Sequence, residues 1–234
     1  MTTTTLVLLP GMDGSGLLFE PFVEAMGATD EVTIQPLAYP ARDALDYAAL
    51  TELAFNALPR TGPLLLLGES FSGPIAVALA ARCADRVQGL ILCCSFVRNP
   101  RPHWSWLTPL LRGAPMPAPP TGLIAHALFG RHVTVRLRSL LAQALNGIKP
   151  NVLRSRLVAV ASVDASTTLA ALPVPLLYLR AREDRLVPAS AWEWIKHLRA
   201  DARVAEFDAP HALLQTRPAE AAEAVTAFVR TVRA

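Results

Sequence analysis

Ser70, Asp184 and His211 are the residues whose types and spacing could do chemistry together, and that chemistry would be acyl transfer through a nucleophilic serine. Residues 64–73 read Leu-Leu-Leu-Leu-Gly-Glu-Ser-Phe-Ser-Gly, and a segment rich in Ala and Leu follows at once. An apolar strand running through Gly-x-Ser into a helix is the setting of a nucleophile elbow, a tight turn that lifts the serine hydroxyl above the strand end. Small residues at 68 and 72 suit the close approach of strand and helix backbones. Position 72 is Ser where such turns usually have Gly, a departure of one hydroxyl.

A serine hydroxyl is a poor nucleophile without a base, and the base needs an orienting acid. Of the five histidines, His103, His126 and His132 fall in a mid-chain segment described below, and His197 lies in a helical pattern beside Trp194. His211 follows the last strand-like run, where loops of open parallel sheets build their sites. The acid is expected after the preceding strand, in Arg-Ala-Arg-Glu-Asp-Arg-Leu-Val-Pro, which makes Asp184 the first choice. Glu183 and Asp208 are the other acids within reach of the pattern.

The elbow places Ser70 at a helix N-terminus, where free N–H groups and the helix dipole favour negative charge. The Phe71 amide is therefore one expected oxyanion donor. The second is expected from Leu-Pro-Gly-Met-Asp-Gly-Ser-Gly, residues 9–16, whose glycines let amides turn inward; Met12 is the candidate. A phosphate-binding loop is the competing reading of this stretch, but it has neither Gly-x-Gly-x-x-Gly nor a P-loop lysine. Nothing in the sequence asks for a metal or an organic cofactor.

These residues need a scaffold, and the hydrophobic pattern supplies one. Short continuous apolar runs bounded by Gly or Pro occur at Leu6–Leu9, Val32–Leu37, Leu64–Leu67, Gly89–Cys93, Leu176–Leu179 and Arg203–Phe207. Helical patterns fit between most of them, at about 19–26, 44–58, 73–84 and 189–198, and a last helix is expected over 218–232. Continuous apolar strands alternating with helices predict an α/β fold with a wholly parallel, six-stranded sheet covered on both faces. From 96 to about 164 the alternation stops: seven prolines fall between 100 and 120, followed by helical patterns near 122–129, 133–145 and 150–162. A structureless loop of that length is improbable in a compact domain. The expected organisation is a core of 1–97 and 164–234 with a helical cap inserted at 98–163.

Composition narrows the function classes. The 234 residues are 52% hydrophobic and 18% charged, which describes one ordered globular domain. A net charge of +3 is too small to point to nucleic acid. Cys83, Cys93 and Cys94 lie in apolar patterns and read as buried core filler rather than a disulfide framework. The first residues lack a basic, cleavable leader pattern and no apolar run reaches the length of a membrane span, so a cytoplasmic protein is expected.

The order Ser…Asp…His, with the elbow after a mid-sheet strand and the acid and base after the last two, resembles the α/β-hydrolase superfamily. The oxyanion-loop and elbow segments are similar to those of bacterial capped esterases and of the hydrolase-like part of plant phytyl ester synthases. The resemblance implies an α/β-hydrolase fold lacking the usual first two strands. It also implies hydrolysis of an ester or thioester through an acyl-enzyme. An acyltransferase on the same triad, or a non-catalytic binder of a small ligand, are the alternatives.

The inserted segment bears on substrate. Between 98 and 163 there is no Asp or Glu, while nine of the 22 basic residues sit there, so this segment is +9 against −6 for the remainder. Solvated helix faces are the usual fate of such charges, yet a one-signed cap over a site can also steer an acidic partner. Trp104 and Trp106 are expected to offer apolar surface, and Arg136 and Arg138 to attract an acidic acyl carrier, as in the capped esterase that cleaves a carrier-bound methyl ester in biotin synthesis.

Overall fold

Strands that are apolar along their whole length must be covered on both faces, and that requirement builds the molecule. The computed structural model describes residues 3–28, 32–103 and 120–233. Strands β1 (Thr4–Leu9), β2 (Val32–Pro36), β3 (Leu64–Glu69), β4 (Val87–Cys93), β5 (Leu176–Ala181) and β6 (Arg203–Phe207) form one six-stranded sheet in the order β2-β1-β3-β4-β5-β6. Every pairing is parallel, as the sequence pattern predicts. Helices α1 (Glu20–Met26), α2 (Tyr47–Ala57) and α3 (Gly73–Arg82) follow β1, β2 and β3. Between β4 and β5 come α4 (Thr121–Phe129), α5 (Val135–Leu145), α6 (Pro150–Ser162) and α7 (Ser166–Ala171). Helix α8 (Ala189–Leu198) precedes β6, and α9 (Leu213–Thr216) and α10 (Pro218–Arg233) follow it.

Successive side chains of a strand point to opposite faces, so the Leu64–Leu67 run feeds two cores. Leu64 and Leu66 pack with Leu50, Ala54, Ile75, Leu79, Trp192 and Ile195 from α2, α3 and α8. Leu65 and Leu67 pack with Phe22, Val225 and Phe228 from α1 and α10 on the other side. None of the four leucines retains accessible surface. The three cysteines are buried and unpaired.

The chain runs from β1 outward to β2, then returns past β1 to β3. Leu9 at the end of β1 pairs with Gly68 near the end of β3. The loops leaving these two strands therefore open into one crevice at the point where the winding reverses, the place where open α/β sheets form sites. The loops after β5 and β6 open at the same end of the sheet.

The segment between β4 and β5 leaves and returns at one neck. An antiparallel bridge joins Arg98 to Asp164, and the Asn99 amide donates to the Val163 carbonyl at 3.0 Å. Helices α4 and α5 form a separate apolar cluster through Ala125, Phe129, Leu137, Leu140 and Leu141. That cluster includes Leu18 from the loop after β1 and Ala212 from the loop after β6. The inserted helices thus pack on the two loops flanking the crevice. Helices α7 and α9 were not expected; at six and four residues they are too short to show a 3.6-residue period.

One polar device ties β4 and β5 to the elbow. The Ser95 amide donates to the Tyr178 oxygen at 3.2 Å, and the Tyr178 hydroxyl donates to the Ser95 carbonyl at 2.7 Å. Ser95 Oγ in turn donates to the Ser70 carbonyl at 2.5 Å. Tyr178→Phe strands a buried amide and carbonyl, so it should lower unfolding free energy by about 1–3 kcal/mol, read as a lower urea midpoint at unchanged slope.

Candidate active site

The elbow is built from a strained serine and a glycine with no room for a side chain. Ser70 has φ 49°, a left-handed conformation that non-glycine residues seldom adopt. It opens a short 3₁₀ turn, Ser70–Ser72, that passes directly into α3. A Cβ on Gly68 would lie 2.8 Å from both the Ser72 carbonyl oxygen and the Ala76 Cβ, so only glycine permits this crossing of strand and helix. The Ser72 hydroxyl is not a passenger: it donates to the Pro10 carbonyl and meets the Tyr39 hydroxyl at 2.7 Å. The departure from glycine at position 72 is thereby put to structural use, joining the elbow to the loop after β1.

Three loops converge on the Ser70 hydroxyl. His211 Nε2 lies 2.8 Å from Ser70 Oγ, and His211 Nδ1 lies 2.8 Å from Asp184 Oδ2. The second Asp184 oxygen accepts the Leu186 and Val187 amides at 2.8 and 2.9 Å, which fixes the carboxylate plane. The His211 and Asp184 side chains are only 5% and 7% exposed, so water competes little for these bonds. The other candidate acids are engaged elsewhere. Glu183 pairs with Arg131 at 2.7 Å, and Asp208 with Arg182 at 2.8 Å. His197 stacks on Trp194, in the helix where the sequence placed it.

The Phe71 amide sits in the first turn after the strand, where helical N–H groups have no helical acceptor. Gly11 packs against the serine: a Cβ there would lie 3.9 Å from the Ser70 Cβ. Met12 follows it, and among the described residues no acceptor takes the Met12 amide. Both residues border Ser70 in the fold, Phe71 as its chain neighbour and Met12 as the neighbour of Gly11.

A match to the alpha/beta hydrolase family covers residues 6–224. The chain belongs to this family. Phytyl ester synthase 1 of Arabidopsis thaliana is 34% identical over 105 residues, covering 41% of this chain and 15% of that protein. The biotin biosynthesis bifunctional protein BioHC of Cellvibrio japonicus is 27% identical, covering 99% of this chain and 49% of that protein. The chain thus spans less than half the length of both curated relatives. The enol-lactonase of Burkholderia xenovorans has the same fold, with a TM-score of 0.81 at 20% identity over 98% of this chain and 92% of that one.

In this hydrolase-family site, sequence reasoning missed a buried acid. Glu69 immediately precedes the serine and is 7% exposed. Its Oε1 accepts a 3.0 Å hydrogen bond from Gln215 Nε2, which also donates to the Leu18 carbonyl at 3.1 Å. Burial pushes the Glu69 carboxyl up to about 7; the Gln215 donor and His211 pull it back, and Asp13 pushes it further up. The only signal in the sequence was its position between a buried strand and the serine. Burial by itself would lower the basicity of His211. The charge of Asp184 and its hydrogen bond, with Glu69 adding in the same direction, outweigh that and leave the imidazole above its ordinary 6.5.

The expected cap contacts fall out differently. Trp104 and Trp106 lie outside the described residues. Arg136 reaches back to α1, holding Glu20 and Glu24 at 2.6 Å each, so its charge is met there. Arg138 lies on α5, with its side chain toward solvent.

The Glu69 carboxyl gives a pH signature in stability. Its folded-state value near 7 exceeds the ordinary 4.5, so the native state holds a proton that the unfolded chain has released. Wild-type stability therefore falls as pH rises through this window. Relative to wild type, Glu69→Gln should gain about 3 kcal/mol between pH 4 and pH 8, measured by urea denaturation across that range.

Proposed function

We propose that the chain hydrolyses a carboxylic ester or thioester through an acyl-enzyme on Ser70. The observation that carries this reading is the unbroken line of hydrogen bonds from Ser70 Oγ through His211 to Asp184, at 2.8 Å in each link. Ser70 Oγ attacks the acyl carbon while His211 Nε2 takes its proton. The Met12 and Phe71 amides receive the developing oxyanion, a contribution of roughly 3–4 kcal/mol to the barrier for one such donor. Collapse of the tetrahedral species expels the alcohol or thiol, which takes the proton back from His211. Water, deprotonated by the same nitrogen, then releases the acid and regenerates Ser70. Asp184 keeps the imidazole in the tautomer that exposes Nε2 as base.

The helices inserted at 98–163 serve as a cap in this reading, because they pack on the loops after β1 and β6 that flank the serine. Their charge supports an acidic acyl carrier less than the sequence alone suggests. Arg131 and Arg136 are paired with acids of the core, and Arg156 is buried. A small-molecule ester or thioester is the better supported substrate. Acyl transfer to an alcohol is the second reading, favoured by the 34% identity to a phytyl ester synthase over 105 residues.

A fluorophosphonate probe should label the wild-type chain stoichiometrically and leave Ser70→Ala unlabelled, as read by intact mass. Equal labelling of both proteins would remove Ser70 from the role.

The pH profile tests the partner acid. The base must be neutral to work, so kcat/KM falls as pH drops through the His211 pKa, and Asp184 holds that limb above 6.5. Asp184→Asn should move the limb to lower pH and reduce kcat about 10⁴-fold with a smaller change in KM.

A further inference from the structure

The loop carrying Met12 has unusual support. Each carbonyl from Pro10 to Gly14 accepts a hydrogen bond. Pro10 is held by the Ser72 hydroxyl, Gly11 by the Gly14 amide at 3.1 Å, and Gly14 by the Tyr39 amide at 2.7 Å. The remaining two, Met12 and Asp13, accept from a single atom, Arg156 Nη1, at 2.8 and 2.9 Å. Arg156 Nη2 donates to the Pro40 carbonyl at 3.1 Å, on the loop after β2.

Arg156 does not belong to the core of the sheet. It projects from α6, the last helix of the segment inserted at 98–163, and is 1% exposed, the largest fully buried side chain among the described residues. Among those residues no carboxylate lies within ion-pair distance of its guanidinium. Asp13 gives its carboxylate to the Ser15 amide and hydroxyl instead. A cation buried without an anion is costly unless dipoles replace its water, and here three backbone carbonyls do so. The space for it is provided by the loop: Gly14 has φ 70°, and a Cβ there would lie 2.6 Å from Arg156 Nη1. The Arg156 guanidinium also lies 5.8 Å from the ring of Tyr39, whose hydroxyl meets Ser72.

We propose that Arg156 is a positioning residue for the oxyanion loop, supplied by the inserted helices, which turns the Met12 and Asp13 carbonyls outward and so keeps the Met12 amide facing Ser70. The proposal rests on the acyl-enzyme reading above. Its consequence is that the helical segment completes the hydrolytic site as well as covering it. Attachment of α6 nearby is consistent with this, since the Lys149 amide at its N-cap donates to the Ala41 carbonyl at 3.0 Å. A planar fork with parallel donors suits several carbonyls at once in a way that an ammonium does not. The loss on substitution should therefore appear where oxyanion stabilisation appears, in kcat, and not in ground-state binding.

The test compares wild type with Arg156→Lys and Arg156→Ala, using p-nitrophenyl butyrate, an alkylboronic acid as tetrahedral mimic, and thermal unfolding. For Arg156→Lys the expected result is a cooperative transition, KM within about twofold, kcat lower by about tenfold or more, and boronate affinity falling in step with kcat. Arg156→Ala should fall further, and millimolar ethylguanidinium should restore kcat by about tenfold with little change in KM. Unchanged kcat in both variants, a loss carried by KM, intact boronate affinity, or loss of cooperative unfolding in both would overturn the positioning role. A wild-type chain that neither turns over the ester nor reacts with fluorophosphonate would overturn the acyl-enzyme reading, and this inference with it. Wild-type turnover alongside insensitive variants would overturn this inference alone.

Discussion

The handover from β3 to α3 sets the terms for everything around it. A buried strand must become a helix within three residues, and it does so by holding Ser70 in a left-handed conformation over a glycine that has no room for a Cβ. Strain of this kind persists only where the surroundings over-determine it. Here the Ser95 hydroxyl binds the Ser70 carbonyl, the Ser72 hydroxyl binds Pro10, and Tyr178 fixes Ser95 from the next strand. The proposed catalytic arrangement follows from that confinement. Once Ser70 is fixed, the loops after β5 and β6 need only deliver an acid and a base to one point, and the parallel sheet already directs them there.

Electrostatics at this point are those of a dry site. Asp184 and His211 are nearly inaccessible, so their interaction is little screened, and it raises the imidazole despite burial. Glu69 adds in the same direction, a buried carboxyl immediately before Ser70 in the chain with a value of about 7. Whatever charge it carries favours the protonated form of His211, and the Gln215 amide on α9 is its hydrogen-bond donor. A four-residue helix after His211 therefore has a definite task, which explains a piece of structure that hydrophobic periodicity could not announce.

Much of this architecture can be read from the residues. The leucine run at 64–67 has no alternation because both its faces are buried, so its parallel, central place follows from composition. The order of Ser70, Asp184 and His211 along the chain, each just past a strand, was enough to bring them to one crevice. Interactions between side chains and distant backbone were not legible. Arg156 sits in a segment with nine basic residues and no acids, where a solvated face is the natural reading. Only the folded chain shows that its partners are carbonyls of residues 12, 13 and 40. Arg136 illustrates the same point in reverse, since its two carboxylate partners lie more than a hundred positions away. Net charge counts the ions of a segment but not where each one ends.

The proposed hydrolysis requires a covalent bond between the acyl group and Ser70. Mixing the protein with p-nitrophenyl butyrate, quenching in acid within the first turnovers and mapping peptides by mass spectrometry observes that bond directly. The expected result is a butyryl adduct confined to the Ser70 side chain, which accumulates before steady state and decays as product appears. Continuing ester turnover with no adduct, or with the butyryl group on another residue, would contradict it.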